Sequence, residues 1–539
     1  MSRTSVDELR KLIGRAQFVM LRYETEFTPC TGITAVTKQE RRHFQRGIMM
    51  APWCPSLKRQ KPADDPLRKG TIRYTDWRFE LQGRDCRVLI TTDDFSPILF
   101  LEVGGRFLGA ETPYDVPLPD LREDSLYFGL AVDHVLKSMG SSRQFVWGAD
   151  WETVPALYLV RHRHHVSLTL HNTFDEGFEK ELSAFGDIYK AFSEKSAYHS
   201  GTKTALETGM EVADVVTTVN RGFARGMRTE PLQLHVMARH VRHLLGRVVG
   251  INNAAFAPLS PSLAELRKRL LSDFAVGRDE LFGIKAKALA ELPRKIRVKA
   301  EGKAIVVSMG RRVSQKQHDL LVESIRQILE QDRNFPVLVV FATIHGDAGS
   351  AARLERMERL QEQFPSNVIC NDGRLSYYTT LMAAADYNCM PSLYEPHGGA
   401  YEGTVIPIAR AVDGLAEQIC ARNPKGYAAE MNAAWHGRDE AETGFLFREQ
   451  YTTDLAHLTH DLKSLLEESP SPENGLFTAM RDSLRDILRE AVLLRLDQPD
   501  AYANLVLAAL EKQEGLSWHE NLGGMIALIE EARIKRAIT

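Results

Sequence analysis

Short, uninterrupted apolar runs separated by segments of helical period recur through most of this 539-residue chain. They constrain its fold more than any other feature. Phe18–Leu21 reads FVML, and Arg87–Thr91 and Ile98–Val103 are two further runs joined through the polar turn at Asp93 and Asp94. Phe145–Trp147, Val166–Leu170 and Val212–Val219 follow, with Val154, Leu157, Tyr158 and Arg161 at helical spacing between the first two. Strands that are apolar throughout need cover on both faces, so the pattern predicts parallel α/β layers rather than an antiparallel meander. The character changes over about residues 257–300, with Pro-Leu-Ser-Pro-Ser, a charged helical stretch and the basic segment Lys285–Lys299. That stretch reads as the crossing between two domains.

A second α/β series then begins. Ala304–Ser308, Val337–Phe341, Asn367–Cys370 and Tyr387–Met390 are its expected strands. Leu320, Leu321, Ile325, Ile328 and Leu329 line one helical face with Ser314 as the expected N-cap, and Ser376 is expected to cap a helix through Ala385. Beyond about Leu455 the pattern is helical. Two such halves suggest a cleft, and ligands of open α/β sheets bind beyond the carboxyl ends of strands.

Lys+Arg number 68 and Asp+Glu 71, a net charge of −3 that gives no global pull toward nucleic acid or an anionic membrane. Six scattered cysteines without a C-x-x-C pair exclude a disulfide framework and argue against a cysteine-built zinc site, leaving buried free thiols as the expectation. The polar opening residues do not read as a secretory signal, and no run of about 18 apolar residues occurs. A cytoplasmic protein is the expectation.

Four segments at expected strand ends hold the candidate chemistry. Met390–Thr404 carries Glu395, Gly398, Gly399, Gly403 and Thr404. Glycines entering a helix would offer N–H groups and a dipole to an anion, with Glu395 beside them for sugar hydroxyls; a loop built only for a tight turn is the alternative. Gly310–Lys316 places Arg311 and Lys316 where two cations can clamp a diphosphate, or form a solvated basic turn. His171, in Leu168–Thr173, can support a sugar by hydrogen bonds or be purely structural. Ala149–Pro155 offers Asp150 and neighbouring aromatic and acidic groups, or a simple helix start with Pro155 in the first turn. The run Arg161–His165 reads as an exposed polar connection rather than a metal site.

Taken in order, these segments resemble the bacterial glycogen and starch synthase family, retaining glycosyltransferases of the GT-B fold. Phe18–Val36 looks like its opening strand and glycine loop, and Val146–Leu159 like its Asp-Trp-His-Thr segment. Thr169–Gly177 looks like Ile-His-Asn-x-x-x-x-Gly, and Asp214–Met227 like Thr-Val-Ser-x-x-Tyr-Ala. Val306–Leu321 is similar to Val-Ser-Arg-Leu-x-x-Gln-Lys-Gly-x-Asp-Leu-Leu. Ala383–Leu415 resembles the stretch from Ala-Ala-Asp through Glu-Pro-x-Gly to Gly-Gly-Leu, and Gly444–Phe447 and Ser517-Trp518 match late landmarks.

The resemblance implies two Rossmann-like domains facing a central cleft. The acceptor-side domain would span 1–275 and the nucleotide-sugar domain 276–505, with C-terminal helices 506–539 packing back on the first. It implies transfer of glucose from ADP-glucose or UDP-glucose to an α-1,4-glucan with retention, without a metal or cofactor. Arg311 and Lys316 would clamp the phosphates, Glu395 would sit at the donor sugar, and His171 near the sugar and the developing charge. Asp150, Gly32, Gly398, Gly399 and Thr404 would bind substrate. The expected partners are the nucleotide-sugar and the glucan, with neither nucleic acid nor membrane, and self-association is compatible with the pattern.

The chain departs from the family at four places. Cys30 and Ile33 replace the lysine and second glycine of Lys-x-Gly-Gly-Leu. Glu152 replaces the histidine of Asp-Trp-His-Thr. Asn252–Ala255 lacks the aspartate of Asn-Gly-Ile-Asp, and about one helical turn is missing around Glu402. Loss of one charged contact in a closed site costs roughly a hundredfold in rate. A transferase with another donor or a small acceptor, and a noncatalytic glucan- or partner-binding homologue, therefore stay open.

Overall fold

The structure, a computed structural model, describes residues 4–28, 32–44, 47–54, 57, 65–109, 112–138, 143–178, 185–254, 259–397, 399–467 and 473–538. The chain forms two compact units. The first comprises Met1–Val219, Met237–Phe256 and Trp518–Thr539, and the second Asn220–Val236 and Ala257–Ser517.

The first unit is built on nine strands: β1 Phe18–Leu21, β2 Gly47–Pro52, β3 Ile72–Leu81, β4 Arg84–Thr91, β5 Ile98–Val103, β6 Phe145–Ala149, β7 His165–Leu170, β8 Val215–Thr218 and β9 Val248–Gly250. Their order is β3-β4-β5-β2-β1-β6-β7-β8-β9. The stretch from β5 to β9 is parallel, as the apolar runs predict, whereas β3, β4 and β5 pair antiparallel. Gln82 and Gly83, both at positive φ, turn the chain between β3 and β4, and so short a link can only make an antiparallel pair. The expected strand Val212–Val219 starts later, at Val215, because Ala205–Val212 is a helix capped by Thr204. His164 and His165 correct the reading of 161–165 as an exposed connection. Both are buried; His165 opens β7 against the Phe145 ring, and burial pushes the His164 imidazole down to about 4.

The second unit holds six strands, all parallel: β10 Ala304–Arg311, β11 Val337–Ile344, β12 Val368–Asp372, β13 Tyr387–Met390, β14 Ile406–Arg410 and β15 Phe445–Phe447. Their order is β12-β11-β10-β13-β14-β15. Val306, Val307, Val339 and Val340 are wholly buried at its centre. Helix His318–Gln331 follows β10 with Gln317 as its cap residue, so Ser314 opens a short turn instead of capping. Its hydroxyl accepts from Arg353 (2.6 Å). Likewise the next expected helix runs over Tyr378–Ala384, with Tyr377 rather than Ser376 at its start.

The units divide at Phe256/Ala257, ahead of the expected 275/276. Helix Pro261–Ser272 belongs to the second unit because it packs on Phe274–Glu291 and Pro499–Glu514. Gly277 lets that first pair approach closely: a Cβ there would lie 2.6 Å from the Leu270 nitrogen. Of the late helices, Pro499–Glu514 stays with the second unit, while Trp518–Ile538 packs in the first against Gly32–His43 and β8. Among the described residues no helix is long and apolar enough to cross a membrane.

Candidate active site

In the second unit, the carboxyl ends of neighbouring strands β10 and β13 bring two of the expected residues into contact. The Lys316 ammonium donates to the Glu395 carboxylate, which also accepts from the Ser392 hydroxyl at 3.1 Å. The contact is possible because the two loops are laced together. Leu393 N–H donates to the Gln315 carbonyl (2.8 Å), and the Gln315 amide donates to the Tyr394 carbonyl (3.1 Å). Arg311 is the last residue of β10; its exposed guanidinium makes no ion pair among the described residues. It lies close enough to Tyr394 to act on that phenol electrostatically. A guanidinium outside any ion pair beside a paired ammonium and carboxylate has the chemistry of an anion clamp: a diphosphate can take both cations.

Beneath Glu395 lies a residue that sequence reading missed. Asp413 stands at the first glycine of the Gly-Gly-Leu pattern and adopts φ +44°. It is buried, and one carboxyl oxygen accepts from Glu395 N–H at 3.1 Å, while the other has no partner. Burial first, then Glu230, pushes this carboxyl well above its ordinary range. Gly222 and Gly226, on helix Arg221–Thr229, make room for it; a Cβ at Gly226 would stand 1.9 Å from its Oδ1.

Residues 399–405 correct the sequence reading. No helix follows the glycines; after a turn closed by the Glu402–Val405 bridge the chain enters β14 directly. A connection this short has no room for a helix. Its amides point elsewhere: Ala400 N–H donates to Gln418 (3.3 Å) and Gly403 N–H to Gln513 (3.2 Å). No helix dipole is therefore available at Gly399, and the Thr404 hydroxyl is buried in the turn without a partner. Gly398 lies outside the described residues, as do Cys30 and Thr31; Gly32 is the first residue of its helix.

A cavity of about 300 Å³ opens within this unit beyond β14 and β15, lined among others by Tyr394, Arg410, Asp413, Tyr427, Arg448 and Tyr451. Its charges are matched. Arg410 is bidentate to Glu449 and also holds the Leu393 carbonyl (2.9 Å), while Arg448 pairs with Glu230 at 2.8 Å. Burial raises the Glu449 carboxyl, but Arg410 and Arg448 outweigh it and bring it down to about 2.

In the first unit, Asp150 and His171 meet at the carboxyl ends of β6 and β7. Asp150 Oδ1 accepts from His171 N–H (2.8 Å) and Oδ2 lies 3.0 Å from its Nδ1. An imidazole so held keeps Nε2 for another partner. Asp150 has φ 58° and ψ 177°, a region that glycine alone enters freely, at a cost of about 1–3 kcal/mol. Next to it, Glu152 is buried with Oε2 unpartnered; burial, then Asp150, pushes it well above the usual carboxylate range. Tyr114 and Glu24 face the same group electrostatically. Arg22 and Arg41, the buried cations nearest in sequence to the glycine loop, are both committed: Arg22 to Glu40 (2.8 Å) and Arg41 to Glu26 (2.6 Å).

Two α/β units of this topology form the architecture of GT-B glycosyltransferases. The catalytic domain of starch synthase IV from Arabidopsis thaliana, solved with ADP and acarbose, superposes with a TM-score of 0.67 over 96% of this chain and 99% of that one, at 16% identity. Sucrose-phosphate synthase from Thermosynechococcus elongatus gives 0.51 over 97% and 100%, at 15% identity. A model of the starch synthase catalytic domain matches residues 39–240. Glycogen synthase of Thermosipho melanesiensis is 26% identical over 387 residues, covering 67% of this chain and 75% of that one. That of Lacticaseibacillus casei is 24% identical over 332 residues, 57% of this chain and 65% of its own length. In sequence the chain is similar to the glycogen and starch synthases, and in fold to the catalytic domain of starch synthase IV.

Proposed function

We propose that this protein transfers glucose from ADP-glucose or UDP-glucose to the nonreducing end of an α-1,4-glucan, with retention. The Lys316–Glu395 contact beside exposed Arg311 carries the reading. In the proposed reaction the two cations hold the donor diphosphate and neutralise it as the bond from C1 to the phosphate oxygen breaks. The acceptor hydroxyl forms the new bond to C1, and its proton passes to the leaving diphosphate. Glu395, released from Lys316, accepts from sugar hydroxyls. In the first unit, His171, oriented by Asp150, keeps its second nitrogen for a hydrogen bond to a sugar hydroxyl. Electrostatic stabilisation then supplies most of the rate, and the chemistry calls for no resident cofactor. Cys86, Cys370, Cys389 and Cys420 are thiols, which fits a reducing cytoplasm.

The test is diphosphate release and chain extension from either donor with a maltooligosaccharide. Lys316→Ala and Glu395→Gln should each lower kcat by about a hundredfold or more. No turnover with any nucleotide-glucose would overturn the reading. The absent helix after β13 favours a second one, a noncatalytic glucan-binding homologue. Glucan binding without turnover, unaffected by Glu395→Ala, would establish it.

A further inference from the structure

We propose that the first unit carries a site for one divalent transition ion, built from Glu207, Glu211 and His243. Glu207 and Glu211 sit four residues apart on helix Ala205–Val212 and so share a face. His243 lies in the helical turn Arg242–Arg247. One ligand atom from each of the three lies within 4.8 Å of the other two.

Two independent features point to a ligand. The His243 Nε2 atom is buried and makes no hydrogen bond, and it stands 3.9 Å from Glu207 Oε1. Glu207 itself is fully buried, and its other contacts orient it as a metal-binding carboxylate is oriented. Ser196 donates to its Oε1 (2.7 Å), and His199 Nε2 lies 3.0 Å from its Oε2. Gly201 N–H donates to His199 Nδ1 at 3.2 Å, which leaves the ring proton on Nε2 and makes His199 a donor to the carboxylate rather than a ligand. The Tyr198 ring stacks on His243 at 3.5 Å and fixes its plane.

Lys203 supplies the present counter-charge to Glu211, at 2.8 Å. A bound ion would take its place. Bonds of about 2.0–2.2 Å require the three atoms to close in, and Glu211 is exposed and can swing to do so. One imidazole and two carboxylates suit a borderline ion such as Zn²⁺, Co²⁺ or Mn²⁺ better than Ca²⁺ or Mg²⁺, which prefer oxygen alone. The ion would fasten the 196–203 loop and helix 205–212 to the 242–247 turn.

The experiment uses full-length protein without a histidine tag, stripped with chelator and titrated with Zn²⁺ by calorimetry and with Co²⁺ by visible absorption. One equivalent is expected to bind, with affinity at least tenfold weaker in both Glu211→Ala and His243→Ala. Lys203→Met is expected to bind more tightly. Glu211 is exposed, so its variant reports binding without loss of the fold. Absence of saturable binding at one equivalent, or undiminished affinity in either alanine variant, overturns the proposal.

Discussion

Asp413 shows how much one side chain can change a loop. A glycine at that position would take the left-handed backbone freely; aspartate takes it at a cost and uses the carboxyl to hold Glu395 N–H. Because burial favours the protonated form of that carboxyl, an amide is a near-equivalent replacement. Asp413→Asn should change unfolding free energy by less than about 1 kcal/mol, whereas Asp413→Ala, which strands the N–H, should cost about 1–3 kcal/mol. Urea denaturation at pH 7 measures both, and equal losses would mean that the carboxyl is ionised. Glu152, in place of the family histidine, is likewise pushed up by burial beside the Asp150–His171 pair. Neither role is visible in the sequence, since burial and a left-handed φ are set by packing from distant segments. The Lys316–Glu395 and Asp150–His171 contacts could be anticipated, because each partner follows an apolar strand and strand ends of a parallel sheet converge.

Helix Arg221–Thr229 lies against Asp413–Gln418 through Gly222 and Gly226, tied by Arg221 to Glu417 at 2.7 Å. Gly226→Ala should therefore cost about 1–3 kcal/mol, as overpacking against the buried Asp413 carboxyl. Gly283, on helix Phe274–Glu291, has open space around it, so Gly283→Ala should add about 0.5–1 kcal/mol. Chemical denaturation of the pair checks both signs. Legibility of the elements follows the same physics. Doubly covered strands such as β1, β10 and β11 announce themselves by unbroken apolar runs. The edge strand β3 does not, because its outer positions are polar, including Asp76 and Arg78. The expected helix after the glycines failed for a reason of length: residues 399–405 are too few to form it and still reach β14.

Three buried acids are held above their ordinary range in the folded state. Asp175 is pushed up to about 7 by burial, and Glu152 and Asp413 well above their ordinary range. Burial also lifts the thiols of Cys86, Cys370 and Cys420 to about 11. Each raised group stabilises fully below its unfolded value and loses that contribution as pH rises to its folded value. The unfolded chain binds fewer of these protons, so stability falls at about 1.4 kcal/mol per pH unit for each proton retained. Asp175 sets a window: its contribution is present below about pH 4 and lost as pH rises to about 7, so the denaturation midpoint of Asp175→Asn should fall less steeply than that of the parent protein between pH 4 and 7; identical profiles would contradict this. The order of segments along the chain has its own consequence. Trp518, Leu522, Met525 and Ile529 form a buried stripe on Trp518–Ile538, and Asn521 donates to the Asn252 carbonyl at 2.6 Å, both within the first unit. During synthesis this helix leaves the ribosome only after the whole second unit, so the first unit must wait for its neighbour before it can close its own core.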